Sequence, residues 1–201
     1  MFGLFKDKKK ELAKEIYGVF RPKIILCKKI GKWESSLSLG DVFINDDYLL
    51  GFFNTYLSIA CVKFGYSGKD SGDIMLDVYE LVDETYSDVQ KCQKLFETFQ
   101  TAKSKGGKEF ILGSDHAAMF FFHLTNDNDA HKFSKDPIYK EAYKHFESGD
   151  FKKRNDWAKK NMPEMFANGD KMSEAPSSIV IAYRIFEKTF EKRLNKVFNV
   201  D

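Results

Sequence analysis

Between Tyr48 and Val62 the chain reads YLLGFFNTYLSIACV, fifteen residues without a charge. A helix this apolar on nearly every side has no face to offer water, so the rest of the protein has to surround it. Asn54, Thr55 and Ser58 interrupt the run, and it falls short of the roughly 20 apolar residues that a membrane-spanning helix needs. It is therefore expected as the buried centre of a globular core, capped by Asp46 or Asp47 and closed near Phe64 by Gly65.

The remaining segments are patterned to cover such a centre. Leu12, Ile16, Val19 and Phe20 form a stripe at helical spacing over about residues 6–20, and Arg21-Pro22 is expected to end that helix. The glycine-rich stretch GYSGKDSGD reads as a loop, followed by a helix from near Asp73 with Ile74, Val78, Leu81 and Val82 inward. Neither GxxxxGK[ST] nor GxGxxG occurs there, so a phosphate-binding loop is not indicated. A further helix carries Val89, Cys92, Phe96 and Phe99 and stops at Gly106-Gly107. Asp136-Pro137 starts another, and short helices are expected at about 151–160 and 163–167. A last helix should run from Ser177 or Ser178 to about Phe198, with Ile179, Ala182, Tyr183, Phe186, Phe190, Leu194 and Val197 along one face. Ile24, Leu26, Leu37 and Leu39 flank Gly31 in short apolar runs, which suits a small β-hairpin at about 24–39 or an irregular extended segment. With 20 Phe and only four Pro in 201 residues, the prediction is an all-α, bundle-like single domain over 1–201 of about seven or eight helices, with residues 1–22 a peripheral amphipathic helix.

Charge and cysteine usage narrow the function classes. Lys and Arg (32) nearly balance Asp and Glu (30), so no global field favours a polyanion, and nucleic acid is disfavoured as a partner. Within FKKRNDWAKK, Asp156 interrupts the basic residues around Trp157. Cys27, Cys61 and Cys92 are odd in number and form no CxxC pair, which fits reduced thiols in the cytoplasm. The N-terminus meets charge by Lys6 and does not read as a secretory signal. Its Phe2, Leu4 and Phe5, followed by lysines, suit weak peripheral membrane contact through residues 1–10, with packing onto the domain the plainer expectation.

One segment invites chemistry. Residues 113–131, GSDHAAMFFFHLTNDNDAH, hold three of the four histidines. Ser114 reads as a helix N-cap with Asp115 in the first turn, and TNDND as the helix end. His116 and His123 share a face but lie two turns apart, roughly 10 Å along the axis, which is awkward for one ion. Metal chelation on a helix uses i and i+4, a spacing that His123 with Asp127 and Asp127 with His131 do have, provided the helix continues through residues that favour turns. As an EF-hand starting at Asp127 the segment fails, with Lys132 where Gly is needed and Ile138 where Glu is needed. No GxSxG elbow occurs, and adjacent carboxylates such as Asp46-Asp47 and Asp83-Glu84 point apart on a helix.

The sequence thus points to a non-enzymatic protein-interaction module without a cofactor, acting on an unidentified protein partner or by self-association. The alternative is a metal- or small-molecule-binding protein that uses residues 115–131, with a divalent metal on His123, Asp127 and His131 and a pocket between helices that includes His116 and Asp115.

Overall fold

Fifteen uncharged residues do form the central helix. The computed structural model describes residues 2–30, 41–42, 45–149 and 177–198. These contain eight α-helices and no strand: α1 (Phe2–Ile30), α2 (Asp47–Lys63), α3 (Gly68–Val82), α4 (Val89–Lys105), α5 (Lys108–Leu124), α6 (Pro137–Glu147), α7 (Ser177–Phe186) and α8 (Lys192–Val197). Contacts divide the chain into two compact units, Met1–Ala118 with Thr189–Asp201, and Met119–Lys188.

In the first unit α2 is the element around which the others pack. Asp46 caps it by accepting from the Leu49 amide at 2.9 Å. At the other end Gly65 adopts φ 82°, the Tyr66 amide donates to the Cys61 carbonyl and the Gly65 amide to Val62, a Schellman closure. Leu49, Leu50, Phe52, Phe53 and Leu57 are fully buried. The one amide in this apolar run, Asn54, donates to the Leu50 carbonyl (2.9 Å) and the Tyr79 hydroxyl (2.8 Å).

α1 runs straight through the expected stop at Pro22. The proline removes the backbone bond to the Gly18 carbonyl, a loss of about 3 kcal/mol in a helix interior. Phe20 and Ile24, fully buried on either side of it, offset this at about 1.5–3 kcal/mol each. The expected hairpin is corrected accordingly, since Ile24–Ile30 is helical; its second half, 31–39, lies outside the described residues. So do the short helices expected at 151–160 and 163–167.

α3 starts at Gly68, not near Asp73, so most of the glycine-rich stretch is helix. Asp70 in its first turn suits the helix dipole, and Lys9 of α1 bridges Asp70 (2.5 Å) and Asp73 (3.2 Å). α1 and α3 pack along each other, and each buries an apolar stripe: Leu12, Ile16, Phe20 and Ile24 on one, Ile74, Met75, Val78, Tyr79 and Val82 on the other. α4 begins and ends as expected, capped by Asp88 on the Gln90 and Lys91 amides and closed by Gly106 at φ 59°.

α5 is the main correction. It begins at Lys108, so Gly113 and Ser114 are interior positions and not a break with a cap. The cause lies in α2. A Cβ on Gly113 would collide with the Tyr48 carbonyl oxygen and stand 3.0 Å from the Phe52 amide nitrogen, and one on Gly51 would collide with the Phe110 carbonyl. The two helices therefore cross backbone against backbone. Ser114 Oγ turns to the Gly51 carbonyl at 3.5 Å.

The stretch Thr189–Asp201 completes the first unit. A π-helical turn, Glu187–Glu191, precedes α8. It interrupts the three-and-four spacing of the expected last helix. Phe190 is fully buried, 5.0 Å from Phe52 and 5.1 Å from Phe20 between ring centres. Of the face predicted for this helix, Tyr183 is 49% exposed.

In the second unit Phe120 meets Phe186 at 5.0 Å, and α6 packs on α7. Asp136 caps α6 through the Ile138 and Tyr139 amides with Pro137 at the first helical position, as expected.

The helix crossing makes a two-sided prediction. Gly72, interior to α3 with open space at its Cβ, should gain about 0.5–1 kcal/mol as Gly72→Ala. Gly113→Ala, the same substitution in a helix, should lose about 1–3 kcal/mol or more, because the backbones have to separate. Urea denaturation of both variants checks the opposite signs.

Candidate functional site

The His/Asp segment separates into three environments. His116, 7% exposed, shares a 2.8 Å hydrogen bond between its Nδ1 and the Tyr48 hydroxyl. Thr189 also hydrogen-bonds Tyr48, whose phenol burial holds far above the usual range. The Arg193 guanidinium lies 5.6 Å from the centre of the Tyr48 ring and bonds Asp46 through Nε (2.8 Å) and Glu109 at 3.2 Å. Asp46 thus serves twice, one carboxylate oxygen capping α2 and the other holding Arg193. The cluster fastens the C-terminal stretch to the start of α2, with its polar groups turned on one another. Asp115, by contrast, is exposed.

His123 is 6% exposed and stacks on Tyr139 at 5.1 Å, with 22° between the rings. Tyr139 continues to Tyr143 (5.9 Å) and Tyr143 to Phe146 (6.5 Å). The His123 Nε2 is buried without a hydrogen-bond partner, and burial lowers its pKa. Asp127 sits beyond the end of α5, which stops at Leu124, followed by Asn126 at φ 51°. Its carboxylate accepts from the Asp129 amide at 3.1 Å and caps a short 3-10 turn. His131, exposed, turns its Nδ1 to the Asn128 carbonyl. The spacing that suggested chelation needed a continuous helix, and the chain turns instead. Among the described residues no group of three His, Cys, Asp or Glu side chains stands where it can hold a metal ion.

Cys61 is buried and Cys92 half-buried, both free, and burial raises both thiols. That keeps them protonated, the opposite of an activated nucleophile.

An open groove lies elsewhere, between α1 and α3 of the first unit. It encloses about 350 Å³ and is lined by Lys10, Ala13 and Lys14 on one side and Asp77, Glu80 and Leu81 on the other. Leu81, expected in the core, is 40% exposed, while Met75 and Tyr79 take the inward positions. The α3 stripe admits either choice by spacing alone, and the side against which α1 packs decides it. The lysines of α1 fall opposite its apolar stripe in the sequence. That they share a groove with Asp77 and Glu80 of α3 depends on how the two helices pack.

No family model, no curated protein and no solved structure matches the chain.

Two predictions follow from the buried polar groups. Tyr48→Phe removes a hydroxyl shared by His116 and Thr189 and should cost about 1–3 kcal/mol of unfolding free energy, measured in urea. His123 has a folded-state pKa below its ordinary 6.5, so the unfolded chain binds the proton more readily. Its contribution is present above pH 6.5 and is lost as pH falls from there to the lowered value. In His123→Phe, which retains a ring against Tyr139, the stability difference between neutral and mildly acidic pH should be smaller than in wild type.

Proposed function

We propose that the protein acts by binding another protein through the groove between α1 and α3. The observation that carries this reading is Leu81, a large apolar side chain 40% exposed at the edge of a concave surface. It is flanked by basic residues on one wall and acidic residues on the other. An apolar anchor with a polar rim is the arrangement of a protein-binding surface. The groove carries Lys10 and Lys14 against Asp77 and Glu80, so it offers a polyanion no single-sign field. The mixed walls instead suit a protein segment bearing both charges around an apolar side chain. The buried histidines are used in packing and in the fastening of α2, which favours a binding role over a catalytic one.

A photoreactive amino acid at position 81 should cross-link a discrete protein in the native cell, and the same group at exposed Val62 should not. The captured protein, purified, should bind Leu81→Asp about tenfold more weakly than wild type, a difference of about 1.4 kcal/mol, with the thermal melt unchanged. Equal binding by the variant, or equal capture at both positions, would refute the reading.

A further inference from the structure

We infer that one end of the first unit rests on an anionic membrane surface, with Val62 and Phe64 as its apolar contacts; neither residue lines the groove. Three helix ends meet there. α2 finishes at Lys63 and α3 begins at Gly68, and the Cys61 thiol ties the two by donating to the Ser71 carbonyl at 3.9 Å. Lys9, early in α1, reaches Asp70 and Asp73 near the start of α3. Later residues of α1, Lys10 to Lys14, share the groove with later residues of α3, Asp77 to Leu81. α1 and α3 therefore run in the same direction, and both begin at the end of the unit where α2 stops.

This end is apolar where the fold gives no reason for it. Val62 is 69% and Phe64 55% exposed, more than any other large apolar side chain among the described residues. One such residue alone would be ordinary, but here the two most exposed stand two positions apart at one helix end. A Cβ added at Gly65 or Gly68 would meet no atom within 4 Å, so the connection after Phe64 stands clear of the rest of the protein. The first turn of α1, which contains Phe2, Leu4 and Phe5, starts at the same end.

Charge selects the occupant. Residues 1–10 and 62–73 hold six lysines and three aspartates, while the whole chain carries only +2, so the positive excess of the protein lies at this end. Two of the three aspartates, Asp70 and Asp73, are already bound by Lys9. Lys8, Lys63 and Lys69 are exposed. Apolar side chains that project among lysines suit a layer of anionic lipid headgroups, which takes the apolar groups in and neutralises the cations around them. Such a layer needs no fixed shape to match a projecting end, whereas a protein partner would have to supply a cavity for it. No helix among the described residues is long and apolar enough to cross a membrane, so the contact is peripheral.

Cosedimentation of the full chain with lipid vesicles at low ionic strength tests this. The protein should bind phosphatidylcholine vesicles that contain phosphatidylserine and not vesicles of phosphatidylcholine alone, and raised salt should weaken the binding. Val62→Ser with Phe64→Ser, and separately Lys8→Glu with Lys69→Glu, should each lower the bound fraction's partition constant about tenfold or more. Circular dichroism of both should match wild type, since all four positions are exposed. Lys140→Glu with Lys144→Glu, an equal change of net charge at exposed positions of α6, should bind nearly as wild type does. In Phe64→Trp, lipids with brominated acyl chains should quench fluorescence beyond the level seen in wild type. Failure to bind anionic vesicles overturns the inference. So does binding that either double substitution at the α2 end leaves unchanged, or that the α6 pair weakens as much as the Lys8 and Lys69 pair. Retention on immobilised poly-glutamate without vesicle binding would assign this end to an acidic protein and overturn the membrane as its partner; the groove's binding role is unaffected by any of these results.

Discussion

The backbone contact between α2 and α5 is the constraint on which the first unit depends. With hydrogen in place of a side chain at Gly51 and Gly113, the helices approach to the point where backbone atoms touch. Tyr48 and His116, three residues from these glycines on either helix, come within hydrogen-bonding reach at 2.8 Å. Asp46 is then placed to hold Arg193 while capping α2, and the C-terminal stretch is drawn in with Phe190 against Phe20 and Phe52. Helix crossing, polar cluster and aromatic core follow from one another, and widening the first disturbs the others.

That dependence separates polar groups that organise the fold from those left to meet something else. Asn54, Tyr48, His116 and Thr189 are buried and engaged within the protein. An unpaired group at such positions would cost free energy, so their satisfaction is a condition of folding and carries no implication of chemistry. Leu81, Lys10 and Glu80 stand outside this network. Their exposure on a concave surface leaves free energy to be gained by contact, which is why the binding proposal rests on the groove and not on the histidines.

His123 falls between the two groups. It is buried against Tyr139 with an unsatisfied ring nitrogen, so the neutral imidazole is the form the second unit accommodates. Its consequence is a sensitivity to acid, set by desolvation. Asp127, four residues on, lies beyond the end of α5, where its carboxylate accepts from the Asp129 amide of its own turn.

Several features were legible in the residues because they are decided within a few positions. The caps at Asp46 and Asp136, the closures at Gly65 and Gly106, and the end of α5 at TNDND involve only neighbouring backbone groups. The burial of α2 was equally plain, because a helix apolar on nearly all sides has one stable environment. Other features turned on distant atoms. Gly113-Ser114 has the local signature of a break and cap, but the close approach of α2 makes it a helix interior. Pro22 has the signature of a stop, but the burial of Phe20 and Ile24 carries α1 past it. Leu81 fits an inward stripe until α1 claims the adjacent side of α3. By itself the sequence determined an all-helical chain around one buried helix, since periodicity, capping and hydrophobic burial act locally or on composition. Only tertiary structure decided which glycines are contacts, which histidine lacks a partner and which charged faces share a groove, because each depends on which backbone lies opposite.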